Sequence, residues 1–346
     1  MFDILTIGTA TLDTFIEARF LKTVSDPKHL TRIGFKTGAA QCFSLGSKIE
    51  IPKPLITVGG GAVNAAVTFS RAGFKVATLA QTGRDYAGKL IVEALEKEHI
   101  SSLVAQDQKG MTALSYILIG KTGERTILIH RGSSSDFSSA HKLMARLASR
   151  WAYIVPGAMS LSLLNDFYRV LKKNNIAIAL APSKDFIAYG LKRCASILKA
   201  TRVITLNREE ASYFTGVPYT DKKGIFKKLD AAIDGIVVMT DGKKGATVSN
   251  GKIIWDVVPF KEKKIVDQTG AGDAFGSGFV AGLMEKEDKN HRITDEMIDY
   301  AIRRAMANAI SVIEHRGATE GVLTLSSFKK NKRWTRPISV RHRVCI

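Results

Sequence analysis

Residues 267–276, Asp-Gln-Thr-Gly-Ala-Gly-Asp-Ala-Phe-Gly, constrain this chain more than any other stretch. Ile265 and Val266 close an apolar, β-branched run before them. Residues 274–284 after them are small, apolar and free of proline, so they read as a buried helix. A glycine-rich turn that opens such a helix leaves backbone N–H groups pointing out of its N-terminus, where the dipole favours an anion. Two readings are open at this point. One is a glycine turn with an aspartate cap. The other is an anion site in which the amides of Gly270, Ala271 and Gly272 hold a phosphoryl group while Asp273 takes a proton from a hydroxyl.

Composition narrows the setting. A chain of 346 residues with 45% hydrophobic and 24% charged side chains is long enough for one large α/β domain or two small ones. No apolar run approaches the ~20 residues of a membrane helix. Residues 4–7, behind Asp3, read as a strand and not a secretion signal. Cys42, Cys194 and Cys345 are far apart without CxxC spacing, and the seven histidines form no HExxH. A reducing cytoplasm is the expected location. The net charge of +19 is uneven: residues 329–346 carry seven Lys and Arg and no acid. They read as a solvated basic tail through which any nucleic acid would bind, with an edge strand from residues 337–340 and 344–346 as the competing view.

Taken in order, the strand at 4–7 ends in Gly8-Thr9, and Asp13 follows a short polar turn at what would be a sheet's carboxyl edge. Residues 14–55 lose helical periodicity and show alternation only at Lys48-Ile49-Glu50-Ile51, closed by Pro52 and Pro54. They read as irregular chain with one or two inserted strands. Gly59-Gly60-Gly61-Ala62-Val63-Asn64 opens a helix ending at Arg71 before Gly73. Residues 83–90 nearly spell a phosphate-binding P-loop, but Leu90 stands where a Ser or Thr is required. Residues 112–119 and 125–130, around a turn at 121–124, form a hairpin. From Trp151 onward strands and helices alternate, which implies a mostly parallel sheet covered on both faces. Asn207 to Glu210 has the spacing of a capping box. Thr240-Asp241-Gly242 after an apolar strand reads as a hairpin turn. Residues 295–313 form a long helix. The G-x-G-x-x-x-G of residues 270–276 has the wrong spacing for a dinucleotide fold.

In this order the motifs resemble the PfkB, or ribokinase-like, family of carbohydrate and nucleoside kinases, from Ile4 to about Leu325. The resemblance implies a three-layer, doubly wound sheet with a β lid made by insertions at about 14–56 and 111–130, within a kinase domain of residues 1–328. It implies ATP-dependent phosphorylation of a sugar or nucleoside hydroxyl, with Asp273 as base and the amides of Gly270 to Gly272 as anion hole. Asp13, Gly60, Gly61 and Asn64 match substrate-binding places, and Asn207, Thr240, Gly242 and Gly245 match ATP-binding ones. Glu210 matches the residue that orders water around Mg²⁺. Asp267, with Gly317-Ala318, matches a monovalent cation (K⁺) loop. A homodimer through the lid is implied, and no membrane. The chain departs from the family pattern at three places: Gln268, Gly61 where ribokinases usually carry lysine, and Ala181-Pro182-Ser183-Lys184 where many members carry Asp-Pro-Asn-x-Arg.

Overall fold

The computed structural model describes every residue except 19, 36–37, 121–124, 144–147, 288–291, 337–339 and 345–346. The hairpin turn expected at 121–124 and Cys345 lie outside the described residues. The chain divides into two compact units, the larger formed by Met1–Leu12, Val58–Ala113 and Arg131–Ile346, the smaller by Asp13–Thr57 and Leu114–His130.

The larger unit is built on a ten-stranded sheet. From one edge, seven parallel strands run Ser101–Asp107, Val76–Gly83, Phe2–Gly8, Ser149–Val155, Ala177–Leu180, Val203–Asn207 and Ile236–Thr240. Three antiparallel strands follow: Ala246–Ser249, Ile253–Val257 and Val340–Val344. The parallel strands are near-continuous apolar runs because helices cover both faces. One core gathers the helices Gly61–Arg71, Ala271–Lys286 and Asp295–Ile313 around Trp151, Tyr153 and Trp255. The other collects Phe167, Phe186, Phe214 and Phe226 on the opposite side chains of the same strands. Helix Ala271–Lys286 is buried from Ala274 to Met284, and its glycines set how closely it packs. A Cβ at Gly282 would fall 2.6 Å from the Ala301 backbone of helix Asp295–Ile313. Among the described residues no helix is long and apolar enough to cross a membrane.

The smaller unit carries a four-stranded sheet in the order Leu55–Gly59, Thr11–Glu17, Ala113–Ile119, Arg125–His130, and a separate ribbon of Lys22–Ser25 with Ala39–Cys42.

The structure departs from the sequence expectations in four places. Asp13 follows the break at Thr9-Ala10 but lies inside a second strand, Thr11–Glu17. Residues 48–51 form no strand: all four are exposed, and Pro52 and Pro54 leave no neighbouring amide ladder to lean on. Ile265 and Val266 end no strand, because the Val266 and Asp267 amides instead bind the carbonyl of Ile313, at 2.8 and 3.2 Å. Finally, the basic C-terminal segment is docked and not solvated. Leu325–Lys330 and Lys332–Thr335 are short helices, Trp334 is 3% exposed, and Val340–Val344 pairs with Ile253–Val257. Like-charge repulsion is overcome locally, since Arg333 pairs with Glu314 and Arg343 with Asp256.

Candidate active site

Gly270 caps helix Ala271–Lys286 in the left-handed conformation (φ 74°), and its carbonyl accepts from the Ala274 amide at 2.7 Å. A side chain there would strain the backbone and meet Ala318 at 2.6 Å. The Ala271 amide makes a long contact, 3.4 Å, to the carbonyl of Gln268. At Gly272 a Cβ would meet nothing within 4 Å, so the head of the helix opens onto free space. First-turn amides of any helix lack partners within it, and here they face a place where a ligand has room.

Asp267 braces this turn. Its carboxylate accepts from the Thr269 amide (2.9 Å) and hydroxyl (2.7 Å) on one oxygen, and from the Gly317 amide (3.0 Å) on the other. Asn308, fully buried, ties the helix further in: its amide donates to the carbonyl of Ala274 at 2.9 Å.

The triple-glycine motif meets the same point. Gly60, at φ 92°, caps helix Gly61–Arg71, and the Gly61 amide donates to the Thr9 hydroxyl at 3.1 Å. Val155 fills the space beside Gly61, where a Cβ would fall 2.4 Å from a Val155 methyl, so a lysine there would require Val155 to move. Asn64, on the first turns of this helix and 7% exposed, donates from Nδ2 to Asp273 at 2.9 Å. Its Oδ1 is buried and without a hydrogen-bond partner among the described residues. Two motifs 209 residues apart thus share one hydrogen bond.

A cavity of about 160 Å³ adjoins Asp273 and Gly272, lined also by Asn207, Glu210 and Thr240. Val155, Ala181 and Pro182 form its apolar side. The capping box is complete: the Glu210 amide donates to Asn207 Oδ1, and the Asn207 amide to Glu210 Oε2, both at 2.9 Å. Burial raises the Glu210 pKa above the ordinary carboxylate value; the Asn207 amide and Lys184 oppose the shift, and the charge of Asp273 adds to it. Thr240 ends strand Ile236–Thr240, and Gly242 and Gly245 sit in the turn beyond, which joins two antiparallel strands as the hairpin reading expected. Gly245 is pressed against the carbonyl of Val257, where a Cβ would fall at 2.1 Å. Asp13 is 8% exposed within the smaller unit.

Three features of this region escaped the motifs. Lys184 acts electrostatically on Glu210. Ser183, standing where an asparagine was expected, caps a short helix and donates to the carbonyl of Gly157. Arg208 pairs with Asp241 at 2.7 Å and stacks on Tyr219, joining the Asn207 helix to the Thr240 turn. None follows a spacing rule; Lys184 was visible only as a base inside a departing motif.

An amide-headed helix at the carboxyl edge of a parallel sheet, with a carboxylate at its mouth and a second motif's amide on that carboxylate, is an arrangement that can hold a phosphoryl group beside a proton acceptor. The sequence profile of the pfkB family carbohydrate kinases matches residues 31–325, and the chain belongs to that family. It is 29% identical to a ribokinase of Haemophilus influenzae over 276 residues, covering 78% of this chain and 85% of that one. It is 26% identical to an adenosine kinase of Saccharomyces cerevisiae, covering 73% and 79%. The fold matches that of an Arabidopsis thaliana ribokinase solved with ribose and ATP, at a TM-score of 0.74 and 17% identity over 96% of this chain and 99% of that one.

Proposed function

We propose that this kinase transfers the γ-phosphoryl group of ATP to a hydroxyl of a sugar or nucleoside, with Asp273 as general base. The observation that carries the reading is the Asn64–Asp273 hydrogen bond at the mouth of the Gly270–Gly272 turn. It holds one carboxylate oxygen and leaves Asn64 Oδ1 to accept from an acceptor hydroxyl. Asp273 takes the hydroxyl proton as the oxygen bonds to the γ-phosphorus, and the bond from that phosphorus to the β-bridging oxygen breaks. The amides of Gly270, Ala271 and Gly272 stabilise charge on the transferred group. Gly60, Gly61 and Asp13 are the further acceptor contacts. Thr240, Gly242, Gly245 and Asn207 serve the nucleotide.

Among the described residues no group of three or more His, Cys, Asp or Glu is arranged to hold a metal. Mg²⁺ would be carried in on the phosphates with mostly water ligands, and Glu210 beside Asn207 would hold one of those waters. Bound there, Mg²⁺ would neutralise phosphate charge during transfer. A monovalent cation beside Asp267 rests on family resemblance; both of its oxygens already brace the turn. The edge strand Arg125–His130 exposes Ile127, Leu128 and Ile129, which supports a homodimer through the smaller unit. A cytoplasmic location belongs to the same proposal. ADP release measured across a panel of sugars and nucleosides tests the proposal: turnover with one acceptor, abolished in Asp273→Asn, is expected, and no acceptor-dependent release from any panel member would overturn it.

A further inference from the structure

A second cavity, of about 800 Å³, lies beside residues 241–244 and the strand Val340–Val344, and shares no lining residue with the cavity at Asp273. Such a volume is in the usual range for small-molecule sites, roughly 300–1,000 Å³. Five cationic side chains line it: Arg208, Lys222, Lys244, Arg341 and Arg343. Two carboxylates oppose them, and both are already engaged. Asp241 accepts from Arg208 at 2.7 Å and from the Tyr219 hydroxyl at 2.6 Å. Asp256 accepts from Lys222, from Thr247 at 2.9 Å and from Arg343. Lys244 and Arg341 make no direct ion pair among the described residues, although the Lys244 charge acts on Asp241 from a distance. Three positive charges are therefore in excess around one concavity, two of them brought by the strand that the sequence alone left as a tail.

We propose that this cavity is a binding site for a small molecule carrying two or more phosphoryl groups. Clustered like charges around one concavity repel one another, even with Lys244, Arg341 and Arg343 exposed, and a polyanion relieves that repulsion while forming charge-assisted hydrogen bonds. Guanidinium groups match phosphate oxygens in pairs, which suits Arg341 and Arg343 in particular. Among the described residues no Phe, Tyr or Trp lines the cavity, so they supply no stacking platform of the kind that single-stranded nucleic acid uses.

The test is calorimetric titration of the full chain with inorganic tripolyphosphate at low salt and without Mg²⁺, comparing wild type with Arg341→Glu and Arg341→Gln. Arg341 is remote in sequence and lining from the Asp273 cavity. Saturable binding that weakens roughly tenfold or more in Arg341→Glu, and less in Arg341→Gln, is expected with an unchanged fold. If Arg341→Glu does not fold, the weakening in Arg341→Gln decides. Binding at wild-type strength in the folded variants would put the anion elsewhere, for instance on the Gly270–Gly272 amides, and overturn the site. So would absence of binding to the wild type. A short RNA held more tightly than tripolyphosphate, with the same dependence on Arg341, would overturn the ligand class.

Discussion

The base role proposed for Asp273 rests on what surrounds it: one oxygen held by Asn64 at 2.9 Å, and an open space where Gly272 has no side chain. Asp273→Asn keeps the shape and removes the base, so kcat should fall ~10²–10⁴-fold with ATP binding retained. Steady-state rates and nucleotide titration check this, and a variant above about a tenth of wild-type kcat would remove Asp273 from the base role. Asn64→Leu tests the other side of the bond. Loss of a hydrogen bond to a charged group costs about 1.5–3 kcal/mol, so kcat/KM for the acceptor should drop roughly 10- to 100-fold. An unchanged acceptor kcat/KM would reduce Asn64 to a packing residue. These residues were legible because each stands in a short motif whose spacing carries its chemistry. Lys184 and the Arg208–Asp241 pair were not, because they meet only through the fold. Asp13 was read only as the residue after the Gly8-Thr9 turn; that it lies within a second strand, Thr11–Glu17, was not legible, because residues 11–13 are too few to show an alternation.

At the scale of elements, helix Arg208–Thr215 combines two demands on Glu210, as helix cap and as a carboxylate facing the Asp273 cavity. The sign of its pH effect follows from burial. A carboxyl whose folded pKa is raised contributes stability below its unfolded pKa, and loses that contribution as pH rises through the folded value. Glu210→Gln keeps the cap, because Gln also closes a capping box, and removes the titration. The variant should therefore compare more favourably with wild type at about pH 7.5 than at about pH 4 in thermal melts. It should also need more Mg²⁺ for half-maximal rate. A large melting loss at both pH values with unchanged Mg²⁺ dependence would leave only the cap. Elements with strong periodicity were legible to the residue: helix Asp295–Ile313 has the bounds its pattern gave. Residues 48–51 were misread because period-two alternation states which faces could differ, not whether another strand is there to pair with.

For the whole molecule, the question is what holds residues 329–346 to the larger unit. Trp334 packs edge-on against Phe260 at 5.5 Å, and Arg333 lies over the Trp334 ring at 4.1 Å. Arg333 also grips Glu314 with two nitrogens, at 2.7 and 2.8 Å, and the carbonyl of Lys261 at 2.7 Å. Although burial opposes ionisation of Glu314, the Arg333 and Lys263 hydrogen bonds outweigh it and hold its pKa below the ordinary value. This clasp is therefore complete above Glu314's unfolded pKa and weakens as pH falls through its folded one. The last strand then covers the edge of Ile253–Val257 in register, Val340 opposite Val257 and Val344 opposite Ile253. From sequence, the run of seven positive charges outweighed two β-branched stretches; the acids that neutralise it, Glu314 and Asp256, belong to segments with no sequence link to it. Truncation after Phe328 removes a buried Trp, worth about 3–5 kcal/mol in comparable cores, and bares a sheet edge. The truncated protein should melt at least about 5 °C lower and gain a tendency to associate. Trp334→Ala should reproduce most of the melting loss while leaving the edge covered, and so remain monodisperse relative to the truncated form. Scanning calorimetry with light scattering separates these effects, and a truncated protein that melts like the full chain would return residues 329–346 to the status of a solvated tail.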